Sequence, residues 1–124
     1  MHVILGGRYQ GKRAYAEKLY TNFPAVSDLE HGSKISPGLV VNVHLGVRRL
    51  IADGQDVRAF FESRLTVLRQ CVIICEEIGG GIVPVDAFGR LWRDETGRLY
   101  QFLAAEAETV DRVFAGLALR LKGG

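Results

Sequence analysis

The chain has 124 residues, of which 48% are hydrophobic and 24% are charged, and its formal net charge is +2. This length and composition predict one globular domain over residues 1–124, and the scattered basic residues argue against a nucleic-acid or membrane surface. The sequence shows neither a charged-then-apolar leader nor an apolar run of transmembrane length, so we expect a cytoplasmic protein.

The N-terminal segment has the pattern of a strand, a glycine-rich loop and a helix. The apolar run Val3–Leu5 predicts the strand, and Arg13–Tyr20 predicts the helix. Between them, the spacing of Gly6, Gly11 and Lys12 fits a Walker A phosphate loop, in which backbone N–H groups surround phosphates and a lysine reaches the terminal ones. We therefore predict that nucleotide is bound by the loop residues Gly6, Gly7, Arg8, Tyr9, Gln10, Gly11, Lys12 and Arg13.

The residue after the loop lysine departs from this pattern. A Walker A loop has Ser or Thr there, whose hydroxyl holds Mg²⁺, and this chain has Arg13. Arginine does not coordinate a cation, but its guanidinium can contact phosphate and replace part of the metal's charge. The loop therefore favours nucleotide binding over turnover. On these residues alone, a glycine-rich turn that binds no phosphate is the alternative.

The rest of the chain alternates between strand and helix patterns. We expect strands over 23–27, 39–43 and 71–75, a loop over 28–38, helices over 44–52 and 56–69, a glycine break at 79–81, a helix from 84 or 86 to about 108, and closing strands over 111–116 and 118–121. This alternation predicts an α/β fold with a mostly parallel sheet flanked by helices and a C-terminal antiparallel strand pair. Ligand is expected at the carboxyl ends of the strands.

The two cysteines, Cys71 and Cys75, fall within one expected strand. They lie roughly 13 Å apart by strand rise, which is too far for a disulfide. We expect two buried free thiols.

Several segments carry a resemblance to a known family. Cys75–Pro84 resembles the N-E-V-G-x-G-I-V-P segment of the bifunctional adenosylcobinamide kinase and adenosylcobinamide-phosphate guanylyltransferase family of cobalamin biosynthesis. Trp92–Ala104 is similar to that family's F-R-D-x-A-G-R-V-N-Q-x-L-A helix, and Ala115–Lys122 resembles its ending. Gly6–Lys12 also matches the family's N-terminal loop.

The resemblance implies a P-loop NTPase fold with a RecA-like sheet and phosphoryl transfer from ATP or GTP, with Mg²⁺, to a corrinoid, adenosylcobinamide. It also implies a homo-oligomer, a trimer, and a second reaction through a guanylylated histidine. For this chain we expect Lys12 and Glu77 to be catalytic. Lys12 would neutralise the terminal phosphates, and Glu77 would orient metal or substrate.

The chain departs from the family pattern at positions that matter for chemistry. The family is longer between its second and third strands, where its guanylyl-accepting histidine lies, and this chain has only His31 there, in a different setting. We therefore expect the guanylyl step to be lost. Asn42 stands in place of the family's aspartate after the third strand, and an amide lacks the charge that a Mg²⁺ shell uses. Glu76 stands in place of the family's asparagine before Glu77, and we assign no metal ligand.

Two other functions stay open on the sequence. One is a non-catalytic nucleotide- or corrinoid-binding protein with a regulatory or assembly role. The other is an oligomeric remnant that binds no ligand. Lys12 and the loop glycines argue against the second, and Arg13 and Asn42 argue against full kinase activity.

Overall fold

The sheet and helices are seen in a computed structural model, which describes residues 1–78 and 86–124. The strands are β1 (His2–Gly6), β2 (Val26–Asp28), β3 (Gly38–Val41), β4 (Cys71–Glu76), β5 (Thr109–Phe114) and β6 (Leu117–Lys122). The helices are α1 (Lys12–Leu19), α2 (Val43–Ala52), α3 (Val57–Glu62), α4 (Leu65–Leu68) and α5 (Ala87–Glu106).

The strands form a six-stranded sheet in the order β2-β3-β4-β1-β5-β6. β1 to β5 are parallel, and β6 pairs antiparallel with β5. The predicted α/β fold, with its mostly parallel sheet and closing antiparallel pair, is confirmed. β1 lies between β4 and β5, so the loop that follows it lies near the middle of the edge formed by the carboxyl ends of the parallel strands.

Successive strand residues point to opposite faces and build two separate cores. Val3, Val40 and Ile73 pack under α2, α3, α4 and α5 on one face. Ile4, Leu39 and Val72 pack against α1 on the other face. Strands that are covered by helices on both faces have apolar side chains on both faces. This explains why the sequences of β1 and β4 contain continuous apolar runs.

Strand β3 ends two residues earlier than expected. Asn42 has a left-handed backbone with φ of 58° and is the N-cap of α2, which begins at Val43. Asparagine tolerates this conformation better than most residues because its short polar side chain can hydrogen-bond locally. The expected strand over 39–43 was therefore wrong at its last two residues.

The expected single helix over 56–69 is two short helices, α3 and α4. Between them, the Ser63 hydroxyl donates to the Phe60 carbonyl over 2.8 Å, and the Arg64 guanidinium donates to the same oxygen over 3.0 Å. These side chains hydrogen-bond to a carbonyl at the end of α3, where a regular helix would use a backbone N–H.

Helix α5 begins after Asp86, whose carboxylate accepts a hydrogen bond from the Gly89 N–H over 2.5 Å. The expected glycine break at 79–81 and the alternative helix start at 84 lie outside the described residues. Among the helices of residues 1–78 and 86–124, none combines the length and apolar character that crossing a bilayer requires.

Cys71 and Cys75 are buried free thiols in one core, as predicted. Burial raises the pKa of both side chains above its ordinary value. Both thiols are therefore protonated and unreactive at neutral pH.

Candidate phosphate-binding cleft

A cleft of about 320 Å³ lies at the carboxyl ends of the central parallel strands. Parallel sheets bind ligands at this edge. One wall is the loop from β1 to α1, which contributes Tyr9, Gln10, Gly11, Lys12, Arg13 and Ala14. The opposite wall contains strand ends and the start of α2, and its lining residues are Asp28, Val41, Asn42, His44, Ile74 and Glu76.

The loop geometry explains two of its glycines. A Cβ on Gly6 would lie 2.6 Å from the Val113 carbonyl oxygen, so the close approach of β1 to β5 requires glycine. Gly11 has φ of 95°, a conformation that L side chains rarely adopt, and it starts α1 without a side-chain cap. The first N–H groups of α1 are therefore left for another acceptor, at the positive end of the helix dipole.

Lys12 is the first residue of α1, and only 7% of its surface is exposed. Its ammonium donates a hydrogen bond to the Gly7 carbonyl over 2.5 Å, so the side chain lies back along the loop. Burial lowers the pKa of Lys12, while the negative charges of Glu76 and Glu77 act in the opposite direction. An anion in the cleft would compensate this partly desolvated charge.

Asp28, at the end of β2, is a site residue that the sequence analysis missed. Its Oδ1 accepts hydrogen bonds from the Asn42 side-chain amide over 2.9 Å and from the Glu30 N–H over 3.0 Å. Burial raises the pKa of Asp28, but these hydrogen bonds outweigh it and lower the pKa overall. The cleft therefore contains a carboxylate beside Asn42, supplied by the neighbouring strand.

His44 and Glu76 form a second polar pair in the cleft. His44 Nε2 lies 3.2 Å from Glu76 Oε2, and the His44 ring stacks on Trp92 with centroids 6.4 Å apart. The Trp92 indole N–H donates to the His44 carbonyl over 2.7 Å, which fixes the backbone beneath the ring. Burial is the largest influence on His44 and lowers its pKa, so the imidazole is neutral near pH 7. A neutral ring donates to Glu76 through an Nε2–H.

The structure separates Glu77 from Glu76. Glu77 forms a two-point ion pair with Arg112, with N–O distances of 3.0 and 3.1 Å, while Glu76 lines the cleft. Glu76 is the last residue of β4 and Glu77 follows it directly, and consecutive residues of an extended chain point their side chains to opposite sides. Side chains alternate between the two faces of a strand. This alternation shows that Glu76 and Glu77 point to different sides, but only the sheet order shows which side is the cleft.

Three charged or aromatic residues of the predicted phosphate loop, Arg8, Tyr9 and Arg13, are exposed. Arg13 pairs with Glu17 one helical turn away, over 3.1 Å, and it also lines the cleft. The Arg8 guanidinium lies 4.9 Å from the centre of the Tyr9 ring, and Tyr9 is 89% exposed. His31 contacts Glu30 at 3.6 Å, and its side chain is 75% exposed.

The donor set fits Mg²⁺ bound together with phosphates. Within residues 1–78 and 86–124, no three His, Cys, Asp or Glu side chains form a metal-binding group. A Mg²⁺ ion that accompanies a nucleotide takes most of its ligands from phosphate and water, and it needs only one or two carboxylates. Asp28 and Glu76 line the same cleft as Lys12, so a carboxylate that could serve such an ion is present there.

Residues 38–121 match the family described as cobinamide kinase / cobinamide phosphate guanyltransferase. The chain is 35% identical over 72 residues to the bifunctional adenosylcobalamin biosynthesis protein CobU of Escherichia coli, covering 55% of this chain and 40% of that protein. It is 41% identical over 51 residues to CobU of Salmonella typhimurium, covering 41% of this chain and 28% of that protein. It is 38% identical over 52 residues to CobP of Pseudomonas aeruginosa, covering 42% of this chain and 30% of that protein.

These matches agree with the P-loop NTPase type of α/β fold seen in the sheet. Each alignment covers 40% or less of the relative's own length, and the family match starts at residue 38, after the phosphate loop. The match nevertheless extends over more than half of this chain and over seven of the strands and helices that form its main core, namely β3, β4, β5, α2, α3, α4 and α5. The chain belongs to the cobinamide kinase / cobinamide phosphate guanyltransferase family.

Proposed function

We propose that the cleft binds a nucleoside triphosphate, ATP or GTP, and that the bound nucleotide donates a phosphoryl group to the corrinoid adenosylcobinamide. The observation that carries this proposal is the buried Lys12 side chain at the start of α1, in a cleft that the carboxylates of Glu76 and Asp28 also line. Phosphoryl transfer is catalysed mainly by positioning and by charge stabilisation, and a cleft with these groups offers both.

Each part of the cleft has a role in this mechanism. The backbone N–H groups of Gly7–Lys12 surround the phosphates, Lys12 leaves Gly7 to contact the terminal ones, and Arg13 adds a second positive charge. Asp28 would hold Mg²⁺, which neutralises charge on the transferring group. Glu76 accepts the proton of the acceptor hydroxyl, and His44 orients its carboxylate. Glu77 stays a catalytic candidate from the sequence.

We propose further that the guanylyl step is absent. His31 is the single histidine between β2 and β3, and it is an exposed loop residue beside Glu30. Its side chain is 75% exposed, and it is not among the residues that line the cleft with Lys12, so this imidazole is poorly placed to attack a nucleotide bound there.

A non-catalytic nucleotide- or corrinoid-binding protein is the second candidate. Arg13 in place of a hydroxyl and Asn42 in place of a carboxylate favour it, because both usual metal anchors are changed. The kinase and the non-catalytic nucleotide-binding protein differ in turnover and not in nucleotide binding. Transfer of labelled phosphate to adenosylcobinamide therefore discriminates between them.

Calorimetric titration with ATP and GTP, with and without Mg²⁺, tests the shared claim. Lys12→Ala should abolish a micromolar affinity, and Lys18→Ala, on the exposed side of the same helix, should leave it unchanged. Absence of heat with the unmodified protein, or equal affinity in Lys12→Ala, would reject nucleotide binding by this loop.

The transfer assay tests the kinase step. Glu76→Gln should reduce turnover by roughly a hundredfold, because the carboxylate is removed while the shape is kept. Glu77→Gln, the same substitution at the next residue, is the comparison variant. A loss confined to Glu77→Gln would favour the sequence assignment over the one from the cleft. No transfer by the unmodified protein would leave the binding protein as the function.

We also propose a homo-oligomer, with a trimer expected from the resemblance. Support comes from β6, an edge strand on which Leu117 and Leu119 are 76% and 64% exposed, beside Phe114 at 67%. Exposed apolar edge strands are places where chains associate. Light scattering after gel filtration should show the oligomer, and Leu119→Lys should dissociate it. A monomeric unmodified protein at micromolar concentration contradicts this proposal.

A further inference from the structure

The turn between β5 and β6 lies against the phosphate loop. Ala115 and Gly116 form this two-residue turn, and both have left-handed backbones, with φ of 51° and 77°. The Ala115 N–H donates to the Gln10 side-chain oxygen over 2.7 Å. The Gly116 N–H donates to the Gln10 backbone carbonyl over 2.9 Å. Gln10 therefore accepts two hydrogen bonds from a turn 105 residues further along the chain.

The hairpin itself leaves these two donors available. The β5–β6 pairing continues to Phe114 and Leu117, which flank the turn, so the N–H groups of the two turn residues fall outside the ladder. In a turn at the edge of a sheet, such N–H groups usually donate hydrogen bonds to water. Here both reach a single residue of the phosphate loop.

Gln10 lies where the phosphate loop leads into helix α1. It comes directly before Gly11, whose left-handed backbone leads into α1 and Lys12. Gly7 has no side chain to fasten, and Arg8 and Tyr9 are exposed and contact each other. Without the Gln10 bonds, a glycine-rich loop would sample many conformations, and phosphate binding would bear the entropy cost of ordering it.

We propose that Gln10 is a positioning residue that fastens the phosphate loop to the β5–β6 turn and holds it in the binding conformation before phosphate arrives. This inference rests on the proposed nucleotide site. It assigns to β5–β6 a role in ligand affinity in addition to closing the sheet. Gln10 acts through the loop backbone and not by contact with the reacting atoms.

The first test measures loop order without any ligand. Gln10→Met keeps the side-chain length and removes the acceptor, and Gln101→Met, on the exposed surface of α5, is the matched control. Hydrogen exchange of residues 7–12 should become several-fold faster in Gln10→Met, with exchange in β1 and β4 unchanged. Gln10→Glu restores an acceptor oxygen and should restore the protection. Equal exchange of the loop in Gln10→Met and the unmodified protein would overturn the proposal.

The second test measures affinity for tripolyphosphate by calorimetry. Loss of one anchoring hydrogen bond should weaken binding by about five- to tenfold in Gln10→Met, with an unchanged affinity in Gln101→Met. The two claims can fail separately. The unmodified protein decides whether the cleft binds phosphates at all. The comparison of Gln10→Met with the unmodified protein decides whether Gln10 positions the loop, and equal affinities would overturn that role.

Discussion

Asn42 donates a hydrogen bond from its side-chain amide to the carboxylate of Asp28 over 2.9 Å, across the ends of two neighbouring strands. Asp28 pairs in register with Val41, so the residue that follows β3 reaches its side chain directly. The residue after β3 carries an amide in place of a carboxylate, but the cleft still holds a negative charge because Asp28, the last residue of β2, supplies it. The hydrogen bond also keeps that carboxylate ionised.

Asp28 should therefore carry the Mg²⁺ dependence of nucleotide binding. Asp28→Asn should reduce the gain in ATP or GTP affinity on adding Mg²⁺ by about tenfold, because a carboxylate ligand is replaced by a weaker neutral one. Calorimetry with and without Mg²⁺ measures this gain, and Asp53→Asn, at the exposed end of α2, serves as the control. An undiminished gain in Asp28→Asn would remove Asp28 from the metal shell.

Asp111 should be a large contributor to stability. Only 1% of its surface is exposed, and its carboxylate accepts hydrogen bonds from His2 over 2.6 Å, Tyr15 over 2.9 Å and Arg120 over 2.5 Å. Asp111→Asn removes the negative partner and should lower the free energy of unfolding by about 3 kcal/mol. Urea unfolding of both proteins at neutral pH measures this loss of free energy. A loss below about 1 kcal/mol would show that the network contributes little.

Acid should weaken the fold through the same residue. Burial raises the pKa of Asp111, but the bonds from Arg120, His2 and Tyr15 together lower it below its ordinary value of 3.8. A depressed folded-state pKa stabilises the protein above the unfolded value, and that stability is lost as the pH falls below it. The unmodified protein should lose stability as the pH falls below 3.8, more steeply than Asp111→Asn. Parallel curves for the two proteins would contradict this.

His44 should cause a separate loss of stability at milder pH. Burial is the largest influence and, together with the positive charges of Lys12 and Arg8, lowers the pKa of His44 below its ordinary value of 6.5. The negative charges of Glu76 and Glu30 act in the opposite direction but do not outweigh burial. The unfolded chain therefore takes up a proton before the folded one, and the free energy of unfolding falls as the pH drops below 6.5, by at most about 1.4 kcal/mol per pH unit. His44→Gln should abolish this slope, and the exposed His31→Gln should not. An identical slope in His44→Gln would refute it.

The β5–β6 turn offers a prediction with a matched pair of variants. Ala115 has φ of 51°, where an L side chain is strained, and nothing lies within 4 Å of a Cβ on Gly116. Ala115→Gly should raise the free energy of unfolding by about 1 kcal/mol, and Gly116→Ala should lower it by about the same amount. Both variants keep the N–H groups that reach Gln10. Thermal unfolding measures the changes, and a destabilised Ala115→Gly would indicate a turn of another type.

Much of the fold could be predicted from local patterns. The apolar runs of β1 and β4, the helix over 44–52 and the closing strands each carry their own periodicity, and the spacing of Gly6, Gly11 and Lys12 marks a strand-to-helix loop. The break between α3 and α4 could not be predicted this way, because Ser63 and Arg64 hydrogen-bond to a carbonyl of the preceding turn in an otherwise helical pattern.

The sequence by itself determined the α/β class, the loop before α1 and the family, because these depend on residues close together in the chain. Only the tertiary structure decided which side chains share the cleft. Asp28, His44 and Glu76 line one cleft with Lys12 because β2, β3 and β4 end at one edge of the sheet. Gln10 contacts the β5–β6 turn because β1 lies beside β5. Strand order is set by how the two cores pack against their helices, and local periodicity does not contain that information.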